Sequence, residues 1–327
     1  MEAKPRIVVS RRIFPELISA LREEFEVVDN QQDLAWEPPE LAAAMKDADA
    51  ALLTAGERID AALLDQCPRL KIVANIAVGY NNIDLAACTA RGVVATNTPD
   101  VLNEATADHA WALLLAAARR VGESERWLRA GNWKRWTFDM FAGAELSGTT
   151  LGVLGMGRIG RAIARRARGF SMPVIYHNRS RLVPGDEDGA RYVDFDTLLR
   201  TSDHLILVVP YSKAVHHIIG SEQLARMKAG ATLVNIARGG VVDDAALVAA
   251  LRSGHVAAAG LDVFENEPAL DPGLLELENV VLTPHIASST RATRTAMAML
   301  AIDNVRAALK GGTPPSLLNP EAMAQRR

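Results

Sequence analysis

The chain has 327 residues, 49% of them hydrophobic and 23% charged, with a formal net charge of −3. That length and balance suit a soluble globular protein with two well-filled domains. They exclude a general role in binding nucleic acid or an anionic membrane surface. Cys67 and Cys88 each lie in an apolar helical context, too few for a disulfide framework or a metal-ligand cluster, and read as inert buried thiols. No metal site is expected. The N-terminus M-E-A-K-P-R-I-V-V-S lacks an apolar signal core, and the longest apolar run, A-W-A-L-L-L-A-A-A (110–118), is too short to span a bilayer. A cytoplasmic location with no membrane partner is expected.

In chain order, short β-branched runs alternate with amphipathic helical segments, the pattern of α/β units on parallel sheets. Strands are expected at 6–10, 50–54, 70–75 and 93–97, with P-E-L-I-S-A-L-R-E-E-F and P-P-E-L-A-A-A-M-K-D-A as helices between them. A long helix, roughly 103–121, leads away from this first series. Residues 122–147 break the rhythm and are rich in aromatics: G-N-W-K-R-W-T-F-D-M-F-A-G is either an arm that packs on another subunit or a loop folded on its own core. A second series of strands is expected at 149–155, 173–177, 204–210, 231–237, 257–263 and 279–284. The helix D-D-A-A-L-V-A-A-L-R-S-G (243–254) is bounded by an acidic start and a closing glycine. A last helix spans about 290–310, and the tail A-M-A-Q-R-R reads as disordered. The basic run R-I-G-R-A-I-A-R-R-A-R (158–168) reads as the solvated face of one helix.

G-M-G-R-I-G (155–160) follows a strand and opens a helix, the setting of a dinucleotide-binding turn. Gly155 permits the turn, Gly157 lets the backbone approach a pyrophosphate, and Gly160 lets helix and strand pack closely. Arg158 and Ile159 sit on the same turn, where the helix N-terminus offers N–H groups to phosphate. About 20 residues beyond the first glycine a carboxylate ordinarily reads the ribose hydroxyls. Here Y-H-N-R-S (176–180) puts Asn178 in that place, followed by Arg179 and Ser180. An amide removes the repulsion a carboxylate would exert on the extra phosphate of NADP, and a guanidinium and a hydroxyl are suited to bind it. NADPH is the expected cofactor. If Arg179 instead points into solvent, NAD serves as well.

Three further segments each put a polar residue just past a buried strand, where ligands bind on doubly wound sheets. N-I-A-R-G-G (235–240) carries Arg238, G-L-D-V-F-E-N-E-P (260–268) carries Asp262 and Glu267, and L-T-P-H-I-A-S (282–288) carries His285. Any one could be a surface or merely hydrogen-bonded residue. Together, downstream of a dinucleotide turn, they suggest a reaction centre.

These segments, with N-I-A-V-G-Y-N-N-I-D (75–84), N-T-P-D-V-L-N-E-A-T-A-D-H-A (97–110) and A-R-G-G-V-V-D (237–243), run through most of the chain in the order of a known family. The chain resembles the D-isomer-specific 2-hydroxyacid dehydrogenases, and most closely their glyoxylate/hydroxypyruvate reductase branch. The resemblance implies an α/β protein. A doubly wound, Rossmann-type cofactor domain (101–286) would accompany a discontinuous flavodoxin-like substrate domain (1–100 and 287–327), with the active site in a cleft between them and a homodimer as the assembly. It also implies roles. His285 would give a proton to the carbonyl oxygen of a 2-oxo acid as hydride reaches its carbon, and Glu267 would hold the ring's other nitrogen. Arg238 would bind the substrate carboxylate and polarise the carbonyl, and main-chain N–H groups at Val78 and Gly79 would bind the same carboxylate. Thr106, Ile236, Ala237 and Asp262 would line the cofactor. The expected reactions are reduction of glyoxylate to glycolate and of hydroxypyruvate to D-glycerate. A broader 2-oxo-acid or hydroxyphenylpyruvate reductase is the alternative, and a nucleotide-dependent module like the C-terminal-binding corepressors a remote one. Some reductases of the branch carry a tryptophan near the end of the aromatic arm where this chain has Met140, which leaves the pocket shape open. His109, His216 and His217 fall outside the matched catalytic positions and receive no role.

Overall fold

The structure, a computed structural model, describes residues 3–325. They form two compact units, one of the residues up to Leu102 together with those from Thr290 onward, the other Asn103–Ser289.

The first unit is built on β1 (Arg6–Val9), β2 (Glu26–Asp29), β3 (Ala50–Leu53), β4 (Ile72–Asn75) and β5 (Val94–Thr96). All pair in parallel in the order β2-β1-β3-β4-β5, the flavodoxin-like arrangement. β3, β4 and β5 are buried at every position, as strands covered on both faces must be, and their sequences are correspondingly apolar. The edge strand β2 escapes the sequence reading because E-V-V-D carries an acid at each end. The helix Arg291–Leu309 packs on β3 and β4 and so returns the C-terminal segment to this unit. Its start is fixed by Thr290, whose hydroxyl accepts the Thr293 N–H at 3.1 Å.

The tail departs from expectation. Pro320–Gln325 is a 3-10 helix with Ala322 fully buried, and the amide of Asn319 just before it accepts the Ala95 N–H at 2.8 Å. An anchored backbone and an apolar contact order a segment whose composition alone suggested disorder. Arg326 and Arg327 lie outside the described residues.

The second unit holds β6 (Leu151–Leu154), β7 (Val174–His177), β8 (Arg191–Tyr192), β9 (His204–Leu207), β10 (Ala231–Asn235), β11 (Val256–Leu261) and β12 (Val280–Leu282). The parallel order β12-β11-β10-β9-β6-β7-β8 is doubly wound and reverses between β6 and β9, the position where such sheets bind ligands. β8 has only two residues, too few for a periodicity to show.

The helix Asn103–Ala118 packs on the helix Arg158–Ala167. Trp111 joins them by donating its indole N–H to the Ile163 carbonyl at 3.0 Å and stacking on Phe170 with centroids 4.6 Å apart. The basic run is therefore more than a solvated face. Arg165 and Arg166 reach Glu104 at 2.6 and 2.9 Å, and Arg166 also pairs with Asp108 at 2.6 Å. Such partly exposed pairs contribute roughly 0–1 kcal/mol each, so packing carries the interface and the charges set its register.

The aromatic excursion begins with a helix, Val121–Arg129, that buries no residue. Trp133, Trp136 and Phe138 beyond it are exposed, Phe138 to 92%. The stretch divides: these aromatics stand out in solvent, whereas Ala144 and Leu146 fold onto the unit's own core, Ala144 donating its N–H to the Ala118 carbonyl at 2.8 Å. Among the described residues no helix is long and apolar enough to cross a membrane.

Candidate active site

β6 ends in the glycine turn, and each glycine answers a different steric demand. Gly155 has φ +104, and a Cβ there would stand 2.9 Å from backbone atoms of Val208 and Val209. A Cβ on Gly160 would stand 2.2 Å from the Gly155 carbonyl oxygen, so only glycine lets this helix start so close to the strand. Nothing lies within 4 Å of the corresponding point on Gly157, which caps the helix Arg158–Ala167 and leaves its backbone approachable. Open backbone at a ten-residue helix N-terminus fits a pyrophosphate.

Asn178 follows β7, and its amide oxygen accepts the Met156 N–H at 2.6 Å. Part of the side chain expected to read the ribose thus braces the glycine turn, leaving only its NH₂ for a ligand. Arg179 and Ser180 are exposed, and neither side chain has a hydrogen-bonding or ionic partner among the described residues. A guanidinium and a hydroxyl with no internal engagement fit the extra phosphate of NADP.

Past β10, Ile236 and Ala237 are buried, as is Thr106 in the first turn of the Asn103–Ala118 helix. The Asn235 amide oxygen accepts the Ala237 N–H at 3.0 Å, and its NH₂ donates to the Arg238 carbonyl at 3.4 Å, which shapes the turn. Arg238 is half-buried and donates to the Ala237 carbonyl at 2.7 Å. It has no ion pair among the described residues. Burial pushes its pKa below the ordinary guanidinium value while the Glu267 charge opposes that. A desolvated cation with most of its donors unused suits a planar anion. The loop carrying Glu267 sits directly against this turn, since a Cβ on Gly239 would fall 1.7 Å from the Phe264 carbonyl oxygen.

Glu267 and His285, 18 residues apart, meet at 2.8 Å between Oε2 and Nδ1, with side chains 32% and 37% exposed. The other carboxylate oxygen accepts the Phe264 N–H at 2.8 Å. Burial alone would raise the Glu267 pKa. The bonds from His285 and Phe264 and the charges of His285 and Arg238 outweigh it and hold the carboxyl below its usual range. With Nδ1–H donated to this anion, Nε2 is the ring nitrogen left to act on a substrate.

Asp262 has a use the sequence did not suggest. Its carboxylate is 1% exposed and accepts from Thr283 Oγ1 at 2.6 Å, Ile286 N–H at 2.8 Å and Ala287 N–H at 2.8 Å, with His109 Nε2 at 3.4 Å. Its own carbonyl accepts the His285 N–H at 2.9 Å. His285 sits at φ +53, a left-handed conformation that costs a non-glycine residue about 1–3 kcal/mol unless its surroundings impose it. Asp262 imposes it by gripping the chain at and beyond the histidine. Burial raises the Asp262 pKa, but the His109, Thr283 and main-chain donors prevail and lower it overall. Its stabilising contribution is therefore complete above the unfolded carboxylate pKa of about 3.9 and is lost as pH falls through the lower folded value. Asp262→Asn is expected to lose roughly 1–3 kcal/mol at neutral pH. Thermal melts should show this gap to wild type narrowing only as pH falls below the ordinary carboxylate pKa of about 3.9, whereas a gap independent of pH would count against the ionised carboxylate.

In the first unit, the loop after β4 is held by its carbonyls. The Asn97 amide donates to the Val78 carbonyl and the Asn75 amide to the Gly79 carbonyl, both at 2.8 Å. The N–H groups of Val78 and Gly79 have no acceptor among the described residues. Donors left open on a pinned loop suit an anion.

Residues 111–287 match the model of the D-isomer specific 2-hydroxyacid dehydrogenase family, NAD binding domain. The chain belongs to this family. It is 48% identical to the glyoxylate reductase of Thermococcus onnurineus over 99% of this chain and 98% of that protein. The structure of a glyoxylate reductase from Paecilomyes thermophila superposes with a TM-score of 0.87 at 37% identity, covering 98% of this chain and 99% of that one. A Sinorhizobium meliloti NADPH-dependent glyoxylate/hydroxypyruvate reductase in complex with NADP and malonate gives 0.87 at 38% identity, with 99% of both chains covered. The protein is thus an NAD(P)-dependent oxidoreductase with a Rossmann-type NAD-binding domain. Within this dehydrogenase, Asn75 and Asn97 brace the loop after β4 in the first unit, and in the second unit Asn235, Thr283 and His109, which the sequence reading left without a role, brace the turns carrying Arg238 and His285. All five lie inside the quoted segments, but His109 and Thr283 are 174 residues apart and nothing local signals their contact.

Proposed function

We propose that the protein is an NADPH-preferring reductase of small 2-oxo acids, with glyoxylate and hydroxypyruvate as its first substrates. The observation that carries this reading is the half-buried Arg238, with no ion pair among the described residues, beside the Glu267–His285 pair. An unpaired cation and a carboxylate-oriented imidazole are the two groups that reduction of a 2-oxo acid requires, one for the carboxylate and one for the carbonyl oxygen. The bound dinucleotide supplies the hydride. Arg238 holds the substrate carboxylate and polarises the carbonyl, and His285 delivers a proton from Nε2 to the oxygen. Glu267 keeps the ring oriented and compensates its charge. The open N–H groups of Val78 and Gly79 serve the carboxylate from the first unit. Thr106, Ile236, Ala237 and Asp262 belong to the cofactor side of the second unit, Asp262 through the loop it holds.

For the cofactor, Gly155, Gly157, Arg158, Ile159 and Gly160 receive the pyrophosphate, and Asn178, Arg179 and Ser180 the phosphate that distinguishes NADP from NAD. Arg179→Ala is expected to lower kcat/KM for NADPH by roughly 10-fold or more, the loss of one charge-assisted contact of about 1.5–3 kcal/mol, with the NADH value nearly unchanged. Steady-state rates with both cofactors check this, and an unaltered preference would place Arg179 in solvent. The exposed Trp133, Trp136 and Phe138 support a homodimer in which this arm packs on a second copy. A light-scattering mass of a single chain would contradict that assembly.

A further inference from the structure

His216 and His217 follow a short 3-10 turn, Lys213–Val215. His217 adopts φ +50. In extended chain neighbouring side chains point to opposite faces, but here the two imidazoles stack, with centroids 4.0 Å apart and planes 22° from parallel. The arrangement is anchored on the turn after Arg238. The His217 N–H donates to the Gly240 carbonyl at 2.7 Å. The His216 ring rests against Gly240, where a Cβ would stand 3.0 Å from Nδ1. The Tyr211 hydroxyl lies 3.2 Å from the same nitrogen. From 48 residues away Glu265 brings Oε1 to 3.0 Å from His217 Nε2, and its own N–H is fixed by the Asp244 carboxylate at 2.9 Å.

We infer that His216, His217 and Glu265 form a binding site for a divalent transition-metal ion of the zinc class, separate from the Glu267–His285 pair. One ligating atom from each residue lies within 4.8 Å of the other two. A tetrahedral ion with metal–ligand bonds of about 2.0–2.2 Å needs its donors about 3.4 Å apart. The His217–Glu265 pair opens by a few tenths of an ångström to admit the ion in place of the proton it shares. The exposed His216 closes by rotating its side chain out of the stack on His217, exchanging its Tyr211 contact for the ion. Asp243, 3.9 Å from His217 Nδ1, adds negative charge behind the site. Two imidazoles and one carboxylate select Zn²⁺, Co²⁺ or Ni²⁺ over Mg²⁺ and Ca²⁺, which prefer all-oxygen ligands. The remaining position is open to water.

The test uses the full chain after dialysis against a chelator, titrated with Co²⁺ and followed by calorimetry and visible absorption, then back-titrated with Zn²⁺. Wild type is expected to bind one Co²⁺ per chain and release it to Zn²⁺. His216→Ala and Glu265→Gln should each bind at least about tenfold more weakly. His216 lies outside the hydride-transfer machinery, so His216→Ala should retain the reductase activity of wild type, which shows that its fold is intact. Absence of saturable Co²⁺ binding by wild type up to about millimolar concentration overturns the site, as does equal affinity in wild type and both variants.

Discussion

His285→Ala is expected to lower kcat for 2-oxo acid reduction by roughly 10²–10⁴-fold, the range for removing a general acid, while leaving the dissociation constant for NADPH within about twofold. The asymmetry follows from where the side chain is engaged. Its only hydrogen-bonding partner among the described residues is Glu267, and the glycine turn, Asn178 and Arg179 proposed for the dinucleotide have no hydrogen bond to it there. Equilibrium titration of NADPH alongside single-turnover rates separates the two effects. Near-normal turnover would remove His285 from proton transfer, and a parallel loss of cofactor affinity would make it a structural residue. Glu267 gives a graded control. Glu267→Gln keeps an acceptor for Nδ1–H but removes the negative charge, so its loss should be smaller than that of His285→Ala.

Arg238→Ala is expected to cut kcat/KM for glyoxylate by roughly 10²–10³-fold, the scale of losing one preorganised donor to a developing oxyanion. Both KM and kcat should change if, as proposed, the guanidinium binds the carboxylate in the ground state and polarises the carbonyl in the transition state. Arg238→Lys should recover only part of the loss, since a point charge cannot reproduce the planar fork. Stability should move the other way. This half-buried cation has no ion pair among the described residues, and its burial is a desolvation cost that the Glu267 charge only partly offsets. Removing it should therefore leave the melting temperature unchanged or raise it. Loss of activity together with a lower melting temperature would mean that Arg238 supports the fold rather than the substrate.

What the sequence disclosed and what it concealed follow the range of each interaction. Gly155, Gly157 and Gly160 fall within six residues between a strand and a helix, and that spacing is a local signal even though the crowding at Gly155 comes from Val208 and Val209. Glu267 and His285 each lie just past a buried strand, so the topology of a parallel sheet brings them to one edge. The hold of Asp262 on the His285 loop depends on main-chain N–H groups that every residue possesses, which no pattern distinguishes. The Asn178 contact with Met156 depends on a rotamer. β2 and β8 are short edge strands without a continuous apolar run, and the tail is ordered by contacts from far along the chain, among them the Asn319 amide with the Ala95 N–H and the burial of Ala322. The stacked His216 and His217 carried no signal either, because Glu265 meets them only in the fold.

The most direct test of the account is the initial rate of glyoxylate-dependent NADPH oxidation by the purified wild-type chain, compared with the same assay using NADH. Saturable turnover with a higher kcat/KM for NADPH is the result the account requires. Preference for NADH would contradict the assignment of Arg179 and Ser180. No glyoxylate-dependent oxidation of either cofactor above the enzyme-free rate would contradict the proposed substrate class itself.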